Sequence, residues 1–324
     1  MSTSKIHIVV MEQDLQHKRL DSFLNEKIPH LSRSAIKKLF QEKKIITGDS
    51  NLKLELKKMP VAGTEIFVIT KEQHDTPCAE KIPLSILYED EYLLAINKPA
   101  GLVVHPAAGN TTGTLVNALL HHHPDIAAVG DPARPGIVHR LDKGTTGVML
   151  AAKTQECYQE LIKIFADHHF ERQYIALVMG SRLESQGQIK TLIARNPKNR
   201  LKMTSQLQEG KEAITHFKVL EFIGPSALIN FTLETGRTHQ IRVHSSEALH
   251  ATLLNDSLYG NTKEQLKKLD GKIRSHLSQY EHPLLHAESI RFNHPILKKD
   301  LELKADIPKF FEQTLLLLRD IYGS

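Results

Sequence analysis

The chain holds only two cysteines, Cys78 and Cys157, in 324 residues. Two cannot build a disulfide framework or a thiolate zinc site. Long apolar runs are also missing. The leucine run Leu315–Leu318 falls far short of the ~20 residues needed to span a bilayer, so no membrane partner is expected. The apolar stretch Ile8–Met11 is short, Glu12 follows at once, and no small-residue cleavage site appears, so no signal peptide is expected. Internal repeats and low-complexity tracts are absent, which excludes solenoid and fibrous architectures. Apolar residues make up 40% and charged residues 24%, which excludes disorder of the whole chain. These absences point to a soluble protein of a reducing cytoplasm. At ~150 residues per domain, the length suggests two domains.

What charge there is lies unevenly. The net is +5, and between Asp14 and Pro60 eleven Lys or Arg face six Asp or Glu. The whole formal excess therefore sits in one N-terminal segment. A basic module beside a neutral body suits polyanion docking. A solvated basic face with no partner is the plainer reading of composition alone.

Residues 15–70 read as a small α+β unit. Arg19, Leu20, Asp21, Phe23 and Leu24 fit a short helix ended by Pro29. Ser32 is a good N-cap for a second helix running to about Lys44. Its apolar residues Ile36, Leu39 and Phe40 share one face, and Arg33, Lys37, Lys38 and Lys44 lie mainly off it. Ile45-Ile46 and Glu65–Ile69 look like strands. Residues 71–83, with two prolines and few apolar side chains, read as a linker. From residue 84 to the end, short apolar strands alternate with Gly/Pro turns and amphipathic helices. Leu93–Ile96, Val148–Ala152, Tyr174–Met179 and Leu228–Leu233 are expected strands; Gln155–Phe165 and Phe310–Arg319 are expected helices.

The pattern Lys18-Arg19-Leu20-Asp21-Ser22-Phe23-Leu24, then Leu31-Ser32-Arg33-Ser34 and Lys37-Lys38, resembles the S4-type RNA-binding domain. That resemblance implies that Arg19, Arg33, Lys37 and Lys38 meet an RNA backbone, where Lys and Arg fix position and counterion release drives binding.

Residues 136–153 read Gly-Ile-Val-His-Arg-Leu-Asp-Lys-Gly-Thr-Thr-Gly-Val-Met-Leu-Ala-Ala-Lys. Asp142 lies between Arg140 and Lys143, ahead of a turn and an apolar strand. Neighbouring cations favour the charged form of a carboxylate, which suits an attacking or proton-abstracting group. A surface salt bridge at a turn is the bland alternative. The phosphorylated aspartate of ion pumps has Asp-Lys followed by Thr-Gly-Thr, not Gly-Thr-Thr. A kinase catalytic loop would lack the inserted Leu141 and would need a Gly-x-Gly-x-x-Gly loop upstream.

The 18-residue string closely resembles the signature of the RluA/RluD-like family of RNA pseudouridine synthases. Four further segments follow in that family's order. They are Asn97–Pro106, Gln173–Val178, Glu234–His244, and the pair Leu285–Ala287 with Phe292–Pro295. The resemblance implies an α+β fold in which the S4-type domain precedes a catalytic domain built on a mixed, mostly antiparallel curved sheet. It implies isomerisation of uridine to pseudouridine in RNA. The expected substrate is large-subunit (23S) ribosomal RNA, on its own or in pre-ribosomal particles, and the expected state is a monomer. Asp142 is the implied catalytic aspartate, attacking C1′ or removing the 2′ proton. Arg237 is the implied cation for that carboxylate, and Tyr174 the implied active-site tyrosine. Arg140, His239 and Arg242 are expected to hold RNA, with Leu141 packing inward. The chemistry demands no cofactor or metal. Adjacent histidines in the runs His121–His123 and His168-His169 point to different faces, which argues against a metal there. Residues 197–210, with Lys198, Arg200 and Lys202, read equally as a mobile arm on the RNA backbone or as an ordinary solvated hairpin.

Three positions of the catalytic domain depart from the family pattern. Gly144 stands where the family usually has Asp, Asn or Glu, Ala251 follows His250 where it commonly has Pro, and Asn255 stands where it usually has Gly. Asn tolerates a left-handed conformation, so the turn at 255 is expected to survive. The rival from another class is a catalytically idle RNA-binding ribosome-assembly factor. A metal-dependent nuclease finds no acidic cluster to support it.

Overall fold

The computed structural model describes residues 3–28, 31, 33–49, 52–71, 77–107, 109–180, 182–206, 208–260 and 262–323. The chain divides into two compact units, Met1–Asp75 and Thr76–Ser324.

In the first unit, strand β1 (Thr3–Val9) is followed by helices α1 (Leu20–Lys27) and α2 (Arg33–Gln41), then strands β2 (Ile45–Thr47) and β3 (Glu65–Lys71). The strands form an antiparallel sheet in the order β1-β3-β2. Leu20, Phe23 and Leu24 recur at helical spacing on α1 and bury with Ile36 of α2 against Ile66 and Val68 of β3. The unit starts earlier than residue 15. Strand β1 pairs with β3 from Thr3 opposite Lys71 to Val9 opposite Glu65. Ile6, Ile8 and Val10 face the core at a spacing of two, an alternation blurred by the apolar run from Ile8 to Met11. Helix α2 stops short of Lys44 because Lys43 turns left-handed, at φ 56°, and Lys44 N–H donates back to the Leu39 carbonyl. Pro29 and Ser32, the expected stop and cap, lie outside the described residues.

The second unit runs β4 (Ile86–Glu89), β5 (Leu93–Lys98), α3 (Leu115–His122), β6 (Thr146–Ala152), α4 (Gln155–Ala166), β7 (Glu171–Met179), β8 (Gln186–Arg195), β9 (Met203–Thr204), β10 (Lys211–Ile223), β11 (Ser226–Leu233), α5 (Gln240–Val243), α6 (Thr262–Lys267), α7 (Gly271–Leu277), β12 (Leu285–Asn293), β13 (Asp300–Lys304) and α8 (Lys309–Tyr322). Its strand order is β4-β5-β6-β12-β7-β11-β10-β8-β9, with β13 on a further stretch of β12. Among the described residues only the β6–β12 pair is parallel, so the sheet is mixed and mostly antiparallel. The expected linker does not extend to 83. The Cys78 carbonyl accepts from Asn117 Nδ2, and Glu80 accepts from Gly113 N–H, so this segment is pinned to the second unit.

Strand β6 is buried on both faces, which is why it reads as an unbroken apolar run. Met149 and Ala151 pack with α3, while Val148, Leu150 and Ala152 pack toward α4 and Phe170. Strand β7 alternates likewise, with Tyr174, Ala176 and Val178 on one side and Ile175 and Leu177 under α7 and α8.

Two contacts hold the start of β6. Gly147 has φ 109° and crosses β12 so closely that a Cβ there would lie 2.1 Å from the Ala287 carbonyl oxygen. Lys98, fully buried at the end of β5, donates from Nζ to the carbonyls of Pro99, Leu102 and Lys143 at 2.9, 2.9 and 3.2 Å. This ties the 98–102 loop to the turn that carries Asp142. Burial pushes the Lys98 ammonium down to about 7, against the pull of Asp142.

Gly147→Ala is expected to destabilise the second unit by at least ~3 kcal/mol, since both the positive φ and the strand crossing forbid it; denaturant unfolding measures this. Lys98 gives a pH signature. Between pH 7 and the ordinary lysine value of 10.5 the folded chain binds fewer protons here than the unfolded chain. This group therefore makes stability rise with pH across that window. Carbon-13 shifts at Lys98 Cε are expected to titrate near 7, and Lys98→Met to flatten the stability slope there.

Candidate active site

The middle of the sheet, β6-β12-β7-β11, places the chemistry. Asp142 lies in the turn just before β6, where the Thr145 N–H closes onto the Asp142 carbonyl. Tyr174 lies on β7, opposite Phe231 of β11 and Ala287 of β12. After β11 the chain turns through Gly236, Arg237 and a left-handed His239 (φ 58°) into α5. These segments wall a cleft of about 500 Å³ that contains Arg140, Asp142, Tyr174, Arg237, His239 and Arg242.

Asp142 is half-buried in this cleft. Its Oδ2 lies 3.4 Å from Arg242 Nη1 and 3.8 Å from His239 Nε2. The expected partner, Arg237, is elsewhere: its Nε donates to the Glu212 carbonyl at 2.8 Å, while its side chain still lines the cleft. The helical turn explains the exchange. Arg237 precedes α5 and is drawn to the β10 edge, whereas Arg242, on α5, returns over the cleft toward β6. Both arginines stand in the same sequence segment, so spacing alone could not separate them.

Arg242 is held as firmly as it holds. Its Nε and Nη2 grip both oxygens of Asp256 at 2.8 Å each, and Asp256 is fully buried. Asp256 also accepts from the Leu258 and Tyr259 N–H groups. The guanidinium lies 5.0 Å over the Tyr259 ring. This leaves Nη1 as the nitrogen turned to Asp142. Asp256 and Tyr259 follow the turn at Asn255, but nothing in their spacing marks them as the support of Arg242. Asn255 is left-handed at φ 60° and its Nδ2 donates to the Leu277 and Tyr280 carbonyls, so the turn survives without glycine.

Tyr174 is buried, and burial pushes its hydroxyl up, so it stays a protonated phenol at neutral pH. Beside it the buried Arg172 donates from Nη2 to the Glu234 carbonyl, while its Nε has no hydrogen-bond partner. His139 lines the same cleft and is tied to β6. Its Nε2 accepts from the Leu150 N–H, and burial pushes it down to about 3. Arg140 is exposed at the rim, and Leu141 is buried in the core below. No side chain fits at Gly144, where a Cβ would meet Pro283 at 2.8 Å and His282 at 3.2 Å.

In the first unit, Asp21 is buried and accepts from Arg19 at 2.9 and 2.8 Å and from Arg33 at 2.9 Å. The Arg19 and Arg33 hydrogen bonds hold its carboxyl well below the usual range, against the effect of burial. Those arginines, with Lys37 and Lys57, rim a shallow cationic hollow; Lys37 and Lys38 are exposed. Among the described residues, no three His, Cys, Asp or Glu side chains converge to hold a metal ion.

Chemically, the cleft offers a carboxylate beside a fixed guanidinium, a phenol at the wall, and room for a nucleoside. A sequence profile described as RNA pseudouridylate synthase matches residues 92–247. An uncharacterized RNA pseudouridine synthase of Synechocystis is 42% identical over 93% of this chain and 89% of its own length. A ribosomal large subunit pseudouridine synthase D of Xylella fastidiosa is 39% identical, covering 94% and 89%. Among solved structures, human RNA Pseudouridylate Synthase Domain Containing 4 superposes with a TM-score of 0.55 at 28% identity, over 72% of this chain and 93% of that one. Matched along nearly its full length, with its Asp142 string inside the profile, this chain belongs to the RNA pseudouridine synthase family.

Proposed function

We propose that this enzyme isomerises uridines of large-subunit ribosomal RNA, with Asp142 as the group that acts on the ribose. The observation that carries the reading is the Asp142 carboxylate in an open cleft, 3.4 Å from an arginine whose other nitrogens are already fixed. The substrate follows from the large subunit pseudouridine synthases that this chain parallels. In the reaction, the N1–C1′ bond breaks, the uracil turns, and a C5–C1′ bond forms. C5 gives up a proton and N1 gains one, so nothing is oxidised. Asp142 attacks C1′ or takes the 2′ proton, and either step uses the charged carboxylate. Arg242 sets its orientation and offsets the loss of water when the cleft fills. The phenol of Tyr174 stacks on the uracil and serves proton traffic at C5.

A uridine inside a helix cannot reach Asp142, so the base must leave its stack at a cost of a few kcal/mol. Arg140 at the rim and Arg237 along the wall are placed to hold the emptied backbone. The first unit acts as an S4-type docking module. Arg19 and Arg33 converge on Asp21 beside the exposed Lys37, a cluster of cations suited to phosphates.

Asp142→Asn is expected to abolish pseudouridine formation in unmodified large-subunit RNA, read by carbodiimide-primer extension, while RNA binding persists. Equal modification by both proteins sinks the assignment. Arg242→Lys, which loses the planar fork, is expected to lower kcat about 100-fold. Arg237→Lys is expected to raise KM instead. Lys37→Ala with Lys38→Ala is expected to weaken RNA binding and to reduce the slope of log affinity against log salt by about 2, measured by salt titration. Unchanged slopes would remove the docking role.

A further inference from the structure

The hairpin that joins β8 to β10 is not a free arm. Asn196 Oδ1 accepts from the Lys198 and Asn199 N–H groups, and Asn199 Oδ1 from the Leu201 N–H, which shapes the tip. Behind the tip, Glu247 clamps the hairpin. Its carboxylate accepts from Thr204 Oγ1, from the Ser205 N–H at 2.6 Å and from Ser205 Oγ at 2.8 Å. One residue earlier, the Met203 N–H donates to the Tyr259 hydroxyl at 2.7 Å. That hydroxyl also lies 2.8 Å from His239 Nδ1, and His239 Nε2 faces Asp142.

Donor count fixes one of these bonds, and the imidazole tautomer sets the other. A backbone N–H can only donate, so Met203 occupies a lone pair of the Tyr259 oxygen. The phenol proton is then free for His239 Nδ1. Burial pushes His239 below its ordinary value, so the imidazole is neutral near pH 7. With Nδ1 accepting, its own proton sits on Nε2, the nitrogen turned to the carboxylate. The same tyrosine supports Arg242 from below, and its N–H bonds Asp256. Tyr259 thus touches the hairpin on one side and both neighbours of Asp142 on the other.

We propose that Tyr259 is a positioning residue that couples the seating of the 196–206 hairpin to the orientation of Asp142, through His239 and Arg242. The hairpin carries Lys198 and Arg200 exposed at its tip, beside Leu201 at 74% exposure. This surface suits an RNA backbone, so a strand lying on the hairpin and the carboxylate that acts on its uridine are ordered as one unit. The proposal rests on the RNA pseudouridine synthase reading given above. Packing alone would not need the hydroxyl, since phenylalanine keeps the ring under Arg242.

Tyr259→Phe, Glu247→Ala and the double variant test this on the full chain. Expected for Tyr259→Phe is a fall in kcat of about tenfold, the size of one lost hydrogen bond, with KM for RNA within about twofold. Glu247→Ala is expected to lower kcat similarly, and the double variant to lose little more, because both cut one chain of contacts. Nitrogen-15 imidazole spectra of the free protein, with His239 assigned by His239→Gln, are expected to show an accepting Nδ1 in the wild type. That signature is lost in Tyr259→Phe. Wild-type kcat in Tyr259→Phe, losses that multiply in the double variant, or an unchanged His239 tautomer would overturn the coupling. If the wild type forms no pseudouridine while the tautomer shifts as stated, the coupling stands and the enzymatic reading is what fails.

Discussion

The site depends on one buried ion pair that does no chemistry itself. Asp256 has no contact with solvent and gives both oxygens to Arg242. A buried carboxylate without a partner costs several kcal/mol, so the pair is strongly fixed once formed. The fork geometry then leaves one guanidinium nitrogen for Asp142. The longer, looser contact of 3.4 Å suits the role proposed for Asp142. That carboxylate is oriented and charge-compensated, yet not locked into a bidentate pair that substrate would have to break.

Around that pair the fold works as a set of clamps on turns. Lys98 fastens the turn before β6 from below, and Gly147 lets β6 run hard against β12. His239 and Arg242 come from a short helical turn whose start is kept by the Thr235 hydroxyl and the Arg237 N–H on Gln240 Oε1. Asp142, His239 and Arg242 therefore hang from turns tied to strands by buried polar contacts, while Tyr174 projects from β7 itself. Apolar strands supply rigidity, and polar ties supply aim.

Much of this was legible in the sequence. The strands around residues 93, 148, 174 and 228 showed because burial on both faces leaves long apolar runs. The helices at 155 and 310 showed through their period. Asp142, Tyr174, His239 and Arg242 were all named, and they do meet in one cleft. The partner of Asp142 was misassigned, because Arg237 and Arg242 share a motif and only the path of the chain into α5 separates them. Lys98 and Tyr259 were missed as support for a different reason: their partners are backbone carbonyls, a backbone N–H and an imidazole, up to 56 positions away, and no local pattern records such bonds. Strand β1 escaped because the exposed Val9 and Met11 turn its alternation into a short apolar run.

The crowding at Gly144 reaches beyond this chain. The space next to Lys143 is already taken by His282 and Pro283, which arrive from the far end of the domain. A relative that carries a bulkier residue after its Asp-Lys pair must draw back that distant loop. The two positions are free to drift only in concert, and a chimera that exchanges one without the other would crowd the neighbourhood of its own aspartate.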